Sequence, residues 1–400
     1  MDTPRTPFGF PLTARAGVAA LRNSKIREVA NAGLGRADVL PFWFGEPDEV
    51  TPEFIRRAGA EAIQRGETFY THNFGIPELR EALSAYVSRL HGATPPDRIA
   101  VTSSGMSALL LVVQALVSPG DRVVVLTPVW PNLVEIPKIH SGEVVTVPLR
   151  LHASGWRLDL DALLAALTPD TRLFMINSPN NPTGWTISRE EQAAILAHCR
   201  RNGTWIVADD AYERLVYEDT GGRAVEDRCA PSFLDLADDG DRVVSTNTFS
   251  KSWLMTGWRL GWIVAPPALI QDIGKLIEYN TSCTPVFVQR AGVVAVTQGD
   301  AVIARTLMRY RAARDFLVGE LSKIRGLEVA RPAGAMYVFF RVEGITDSLD
   351  YCKKLATEAG LGLAPGIAFG PEGEGFLRWC FAATEENLAK GVSRLLNYRR

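Results

Sequence analysis

From residue 98 onward, short apolar runs alternate with stretches of helical period, and no other feature restricts the fold of this chain as strongly. Residues 98–102 read as a strand, 107–117 as a helix and 122–126 as the next strand. Four further strand signals follow at 171–177, 204–208, 242–246 and 260–265. This order predicts an α/β fold around a mostly parallel sheet. The runs are continuous rather than alternating, as befits strands covered on both faces. Between two of them, Ser188 and Glu191 form the signature of a capping box, which predicts a crossover helix over 190–201. After about residue 291 the pattern changes to a long helical stretch reaching about 325. Short strands, Gly-rich turns and a last helix from Thr384 follow, so this region reads as a second domain.

Length and charge narrow the function. At 400 residues the chain has room for roughly two to three domains. Its 43 basic and 45 acidic residues leave a formal net charge of −2, which offers no broad field for nucleic acid or an anionic membrane. A small-molecule partner is expected. Cys199, Cys229, Cys283, Cys352 and Cys380 lack C-x-x-C spacing, and with five histidines no zinc pattern emerges. Reduced thiols, a cytoplasmic setting and no metal are therefore expected. Residues 1–13 hold three prolines and no continuous apolar core, which argues against a signal peptide. This Pro-rich start reads as an arm lying on a neighbour. Apolar runs such as 108–113 are far too short to span a bilayer.

In a parallel α/β sheet, ligands gather at the carboxyl ends of strands, and here those positions are polar. Ser103-Ser104-Gly105-Met106 opens a helix whose free N–H groups and positive end suit a phosphate. Neither a nicotinamide fingerprint nor an ATP loop is present in its usual form. Asn177-Ser178-Pro179-Asn180-Asn181-Pro182-Thr183-Gly184 packs turn formers after one strand. Asp209 and Tyr212 lie three apart at the end of another, where a lone Asp is ordinarily a helix cap. Thr248-Phe249-Ser250-Lys251 ends a third, and Thr256-Gly257-Trp258-Arg259-Leu260-Gly261 follows directly. A lone lysine there would ordinarily be a solvated surface group.

Taken together, N-N-P-T-G, D-x-x-Y, S-K and T-G-W-R-x-G, in this order and spacing, resemble the aspartate aminotransferase family, class I/II within fold type I of pyridoxal-phosphate enzymes. The resemblance runs from Phe44-Gly45-Glu46-Pro47-Asp48 to Arg378, with Tyr70-Thr71 and the G-x-P-E-L-R-E-A-L stretch from Gly75 to Leu83 between. It implies a large domain over 45–290, with a mostly parallel seven-stranded sheet flanked by helices. It also implies a smaller α+β domain built from 1–44, which includes the arm, and 291–400.

The same resemblance assigns roles. Lys251 matches the lysine that forms a Schiff base with pyridoxal 5'-phosphate, and Asp209 the carboxylate that keeps the pyridine nitrogen protonated. Tyr212 and Asn181 match donors to the phenolic oxygen, and Trp130 the ring that stacks on the cofactor. Arg259, Ser250, Ser104 and the backbone of Gly105 and Met106 match phosphate ligands. Tyr70 matches a residue reaching the other subunit's phosphate, which implies a homodimer with a shared site. Arg378, assisted by Asn181 and the Gly45 backbone, matches the fork that grips the substrate α-carboxylate. Lys251, Asp209 and Tyr212 thus stand as the catalytic set of a ping-pong aminotransferase using an amino acid and a 2-oxo acid.

For the substrate side chain, the resemblance points to Ser24, Trp43, Phe44, His72, Asn73, Phe74, Met106 and Trp130. Many relatives that prefer acidic substrates carry lysine where this chain has Met106, so a neutral or aromatic donor is expected. Aspartate transamination and β-elimination on the same scaffold are the alternatives. A regulator that joins such a domain to a DNA-binding segment finds no basic patch and no room for a helix-turn-helix before Phe44.

Overall fold

A computed structural model of the chain describes residues 12–218 and 227–399. Nearly all of the Pro-rich start, read above as an arm, lies outside the described residues. Strand β1 (Leu40–Pro41) comes first, then β2 (Ile99–Thr102), β3 (Arg122–Thr127) and β4 (Glu143–Pro148). A hairpin of β5 (Arg150–His152) and β6 (Gly155–Arg157) precedes β7 (Thr171–Asn177), β8 (Trp205–Asp209), β9 (Val243–Thr248) and β10 (Gly261–Val264). The C-terminal part adds β11 (Leu327–Val329), β12 (Tyr337–Val342), β13 (Leu361–Gly362), β14 (Ala364–Pro365) and β15 (Phe376–Cys380).

Seven strands form the central sheet in the order β2-β10-β9-β8-β7-β3-β4. From β9 through β4 every neighbouring pair is parallel, and β10 alone runs against both β9 and β2. The expected mostly parallel α/β architecture is therefore present. Alternation along β3 explains its unbroken apolar run. Val123 and Val125 face a core with Leu109, Val112 and Ile270, whereas Val124 and Leu126 face another with Phe174 and Ile195. Both faces are dry, so polar positions would leave unsatisfied groups. A separate antiparallel sheet, β11-β12-β15-β14, stands in the C-terminal part, and β1 joins it indirectly by pairing with β13.

The capping box forms as read. Ser188 Oγ accepts the Glu191 N–H at 3.2 Å, and the Glu191 carboxylate accepts the Ser188 N–H at 2.8 Å. That helix, Arg189–Asn202, ends on Gly203 in the left-handed region. Two readings change. The stretch expected as one long helix is two, Val286–Gln298 and Asp300–Leu321. They part at Gly299, where a Cβ would lie 2.2 Å from the Ala295 carbonyl oxygen. Strand β4 escaped the sequence reading because it borders the sheet, and its residues are mostly exposed or half-buried. Among the described residues, no helix is long and apolar enough to cross a membrane.

One glycine sets how the sheet meets the site. A Cβ on Gly261 of β10 would lie 2.5 Å from the Gly105 nitrogen and 2.7 Å from the Asn247 carbonyl oxygen. The first turn of the helix Gly105–Leu116 therefore sits directly on the sheet because residue 261 has no side chain. Gly261→Ala is expected to destabilise the fold by about 1–3 kcal/mol through overpacking. Urea unfolding midpoints of the two proteins measure this.

Candidate active site

Adjacent strands β7, β8 and β9 end together, so the segments that follow them converge. β8 delivers Asp209, β9 runs into the one-turn helix Phe249–Ser252 with Lys251, and β7 opens the turn bearing Asn181. A cavity of about 250 Å³ lies at this edge, the expected place for a ligand in such a sheet. Gly45, Gly105, Met106, Trp130, Asn181, Asp209, Tyr212, Ser250, Lys251, Arg259 and Arg378 all line it. Two expected residues do not. Ser104 is buried as the cap of its helix, and Tyr70 is 88% exposed on the surface.

Three charged groups dominate the cavity. Lys251 Nζ donates to the Gly45 carbonyl at 2.6 Å, and removal from water lowers its pKa to about 8. Burial raises Asp209 to about 7, against the opposing pull of the Ala211 N–H and Lys251. Its carboxylate accepts one bond, from Ala211 N–H at 3.3 Å. Arg378 is 2% exposed. Its guanidinium donates to Asn181 Oδ1 at 2.9 Å and to the Trp43 carbonyl, while Nε has no partner. Among the described residues, none of the three forms an ion pair. The site thus holds a carboxylate without a cation and an arginine without an anion.

The surrounding hydrogen bonds explain the turn chemistry. Asn177 donates from Nδ2 to the Asp209 carbonyl at 2.9 Å and accepts the Asn181 N–H at 2.7 Å. It therefore ties the β7 turn to the end of β8. Asn180 Oδ1 accepts from the N–H and hydroxyl of Thr183, closing the same turn. Tyr212 Oη lies 2.7 Å from Tyr337 Oη. Sequence reading missed Tyr337, Asn177, Ala211, Thr248, Leu109 and Ile26, all of which line the cavity. Asn177, Ala211 and Thr248 stood inside the motifs already singled out. Nothing in the ordinary strand pattern around Tyr337 marks it.

At the other end, Ser104 adopts φ 150° and ψ 165°, a region almost confined to glycine. Ser104 Oγ accepts the Ser107 N–H at 3.0 Å, leaving earlier N–H groups of the 12-residue helix free for an anion. Thr248 Oγ1 bonds Ser250 Oγ at 2.9 Å and accepts the Ser250 N–H at 3.1 Å. Arg259 follows in the left-handed region at φ 54°, its guanidinium donating to the Thr256 carbonyl at 2.7 Å.

The side-chain pocket differs from the expected set. Phe44, Met106 and Trp130 do line the cavity. Ser24 instead caps the helix Lys25–Ala32, and Trp43 is buried against Gly33 and Gly362. Asn73 donates to the Gly274 carbonyl at 3.0 Å, and Phe74 packs on Gly274 beside His72. In this chain the apolar wall is made by Ile26, Phe44, Met106, Leu109 and Trp130.

A mostly parallel seven-stranded sheet thus brings a lysine, an aspartate and an arginine together in one cavity at its carboxyl edge. The sequence pattern of the family Aminotransferase class I and II matches residues 37–395, and the chain belongs to that family. It is an aminotransferase. It is 32% identical over 382 residues to an aspartate aminotransferase of Pyrococcus horikoshii, covering 94% of this chain and 95% of that protein. With the aspartate/prephenate aminotransferase of Thermus thermophilus it shares 33% over 376 residues, 93% of each chain. Among solved structures, a Thermus thermophilus aspartate aminotransferase with maleate superposes at a TM-score of 0.88, with 31% identity over 96% of this chain and 99% of that one.

Asp209 allows a test independent of turnover. With a folded-state pKa near 7 and an ordinary value of 3.8, its ionised form is disfavoured by folding. The penalty is absent at low pH, grows as pH rises between those values, and is complete above about 7. Cofactor-free Asp209→Asn is therefore expected to melt above the cofactor-free parent at about pH 8, with the gap closing towards about pH 4. Thermal unfolding of both proteins across this range checks the sign.

Proposed function

We propose that this cavity holds pyridoxal 5'-phosphate against Lys251, Asp209 and Tyr212 and transfers amino groups from neutral or aromatic L-amino acids to 2-oxo acids. The observation carrying the reading is that Lys251, Asp209 and Arg378 are withdrawn from water together without pairing. The residues fit the group. Asp209 lacks a cation, which a protonated pyridine nitrogen would supply. Ser250, Arg259 and the N–H groups of Gly105 and Met106 suit its phosphate, and Trp130 its ring face. Bound there, the cofactor supplies an aldehyde for amine exchange and an electron sink for the Cα carbanion.

The remaining chemistry belongs to the chain. Lys251, lowered to about 8, is neutral in a useful fraction near neutral pH, so Nζ can take the substrate Cα proton and return it. Asp209 holds its negative charge once a cation arrives. Tyr212 and Asn181 donate towards the phenolic oxygen. Arg378 takes the α-carboxylate on its free Nε edge, with Asn181 orienting the guanidinium. Binding both reactants in turn at one lysine makes the cycle ping-pong.

Substrate choice follows from Ile26, Phe44, Met106, Leu109 and Trp130. Met106 is fixed by Asn132, whose Nδ2 donates to its sulfur at 3.1 Å. A distal carboxylate in this wall would lose its water with no cation in exchange. In a donor panel, phenylalanine or methionine is expected to exceed aspartate in kcat/KM, and Met106→Lys to raise aspartate's value by about tenfold. Aspartate turning over fastest in the parent enzyme would overturn this reading. Lys251→Ala is expected to lose about a thousandfold or more in activity together with the lysine-dependent visible absorbance. Pyruvate released from cysteine conjugates without any 2-oxo acid would favour β-elimination.

The same reading includes a homodimer. Tyr70 and Phe69 are 88% and 82% exposed, and Tyr279 is 91% exposed. The Thr71 N–H meets Cys283 Sγ at 3.4 Å, which brings the two segments onto one face. Solvent is a poor neighbour for such aromatics, and a second copy would cover them. Sedimentation equilibrium is expected to give twice the chain mass, and Tyr70→Ala to weaken cofactor affinity by about tenfold. A division into 1–44 with 291–400 against 45–290 suits the separate C-terminal sheet. The five cysteines form no disulfide and four are buried, in keeping with a reducing cytoplasmic setting.

A further inference from the structure

Tyr337 touches three parts of the site and has no role assigned so far. It is fully buried at the start of β12. Its hydroxyl lies 2.7 Å from that of Tyr212, with the rings edge-on at 78°. The Arg378 guanidinium lies over its ring, 4.4 Å from the centroid. A Cβ on residue 45 would fall 1.9 Å from its oxygen, so Gly45 is a glycine because Tyr337 Oη occupies that space. Ala333 and Gly334 donate to the Gly184 carbonyl at 3.0 Å each, and Ala335 to that of Leu215 at 2.8 Å. These bonds tie the segment that leads into Tyr337 to both the N-N-P-T-G turn and the Tyr212 turn.

We propose that Tyr337 is a positioning residue whose hydroxyl donates to the Tyr212 oxygen, committing the single Tyr212 proton to the cofactor's phenolic oxygen and linking it to Arg378. The proposal rests on the reading of Tyr212 given above. Two touching phenols share one bond, so one must donate. The groups facing the pair are Asp209, Lys251, Arg378 and Cys380. Arg378 stacked on the Tyr337 ring draws electron density from it and sharpens its O–H as a donor. Asp209 disfavours ionisation of both phenols alike, so the asymmetry comes from Arg378, which lies closer to the Tyr337 ring than Lys251, at 5.7 Å, lies to that of Tyr212. A phenol that accepts one bond donates more strongly through its own proton. Burial lifts both phenols far above their ordinary range, so both protons stay in place at working pH. Tyr212 therefore stabilises the ionised phenolic oxygen more when Tyr337 stands behind it. A carboxylate that neutralises Arg378 weakens the polarisation and is felt at Tyr212.

The test is a spectrophotometric pH titration of holoenzymes, reading the visible band that reports protonation of the lysine-bound cofactor. Tyr337→Phe keeps the ring under Arg378 and removes only the hydroxyl. Its midpoint is expected about 0.5 pH higher than the parent's, with Tyr212→Phe higher still. The double variant is expected to match Tyr212→Phe alone, because Tyr337 acts through Tyr212. A Tyr337→Phe midpoint equal to the parent's while Tyr212→Phe shifts would overturn the Tyr337 role and leave Tyr212 intact. No shift in Tyr212→Phe would overturn the reading of Tyr212 itself, and this proposal with it. An additive shift in the double variant would also overturn it. As a second measurement, Tyr337→Leu removes the ring and is expected to weaken a carboxylate inhibitor by about tenfold. Tyr337→Phe should leave that affinity within about twofold, and equal losses in both variants would overturn the link to Arg378.

Discussion

Charges taken out of water need partners, and most of those buried in this chain have them. His91 lies between Asp235 at 2.9 Å and Glu213 at 3.2 Å. Burial pulls its pKa down, yet those two carboxylates hold it up at about 10. Arg314, 0% exposed at its side chain, meets Asp315 at 2.8 Å and Glu218 at 3.3 Å. The cavity breaks this rule three times within one wall, at Lys251, Asp209 and Arg378. Leaving such groups unpaired costs several kcal/mol each in principle, so the rest of the structure has to hold the site open against collapse. Burial raises Asp209 and lowers Lys251 accordingly, and such displacements cluster at functional sites.

Holding it open falls to a seam between two sheets. Asp209 and Lys251 sit on ends of the parallel sheet, whereas Arg378 sits on β15 of the antiparallel one. The segment from Ala333 to Tyr337 crosses between them. Val216 and Gly334 form an isolated bridge, Tyr217 donates to the Ala333 carbonyl at 3.2 Å, and a Cβ on Gly334 would strike Pro179 at 2.7 Å. Backbone so closely packed against two turns has little freedom. The separation of Arg378 from Asp209 and Lys251 is therefore set by main-chain contacts rather than by long side chains.

How much of this was legible in the sequence depended on where the information lay. Central strands announced themselves because burial on two faces demands an unbroken apolar run. β4 did not, because an outer strand with one neighbour tolerates polar and exposed positions. The helix break at Gly299 was hidden by a periodicity that continues on both sides, since what ends the first helix there is contact with Ala295 and Trp253. Motif residues such as Lys251, Asp209 and Arg259 carry polar chemistry at strand ends, where a core explanation fails. Tyr337 sits in Met336-Tyr337-Val338-Phe339-Phe340, where an aromatic is what any buried strand would carry. Its role depends on a neighbour 125 positions away, and local pattern holds no trace of such a pairing. The same limit applies to Asn73 and Phe74, which face Gly274 rather than the cavity.

The cavity's polarity also decides which end of a substrate goes where. Arg378 and Arg27 are both near Phe44 and the apolar wall, yet they differ in what surrounds them. Arg27 lies over the Phe44 ring at 5.6 Å and is exposed, so water and salt screen its charge. Arg378 is buried between the Tyr337 and Phe369 rings, at 4.4 and 4.9 Å, with an unpaired Nε. An anion gains far more from the second, because low dielectric strengthens attraction and no hydration is left to lose on the protein side. On the proposed reading a substrate with one carboxylate orients itself by Arg378, with its side chain against Ile26, Met106 and Leu109. A substrate with two must leave its second carboxylate either among those side chains or out towards the screened rim at Arg27. On the proposed reading the apolar wall, more than any single contact, weighs against acidic donors, since a second carboxylate loses its hydration among those side chains without a cation in exchange and gains little from a screened arginine at the rim.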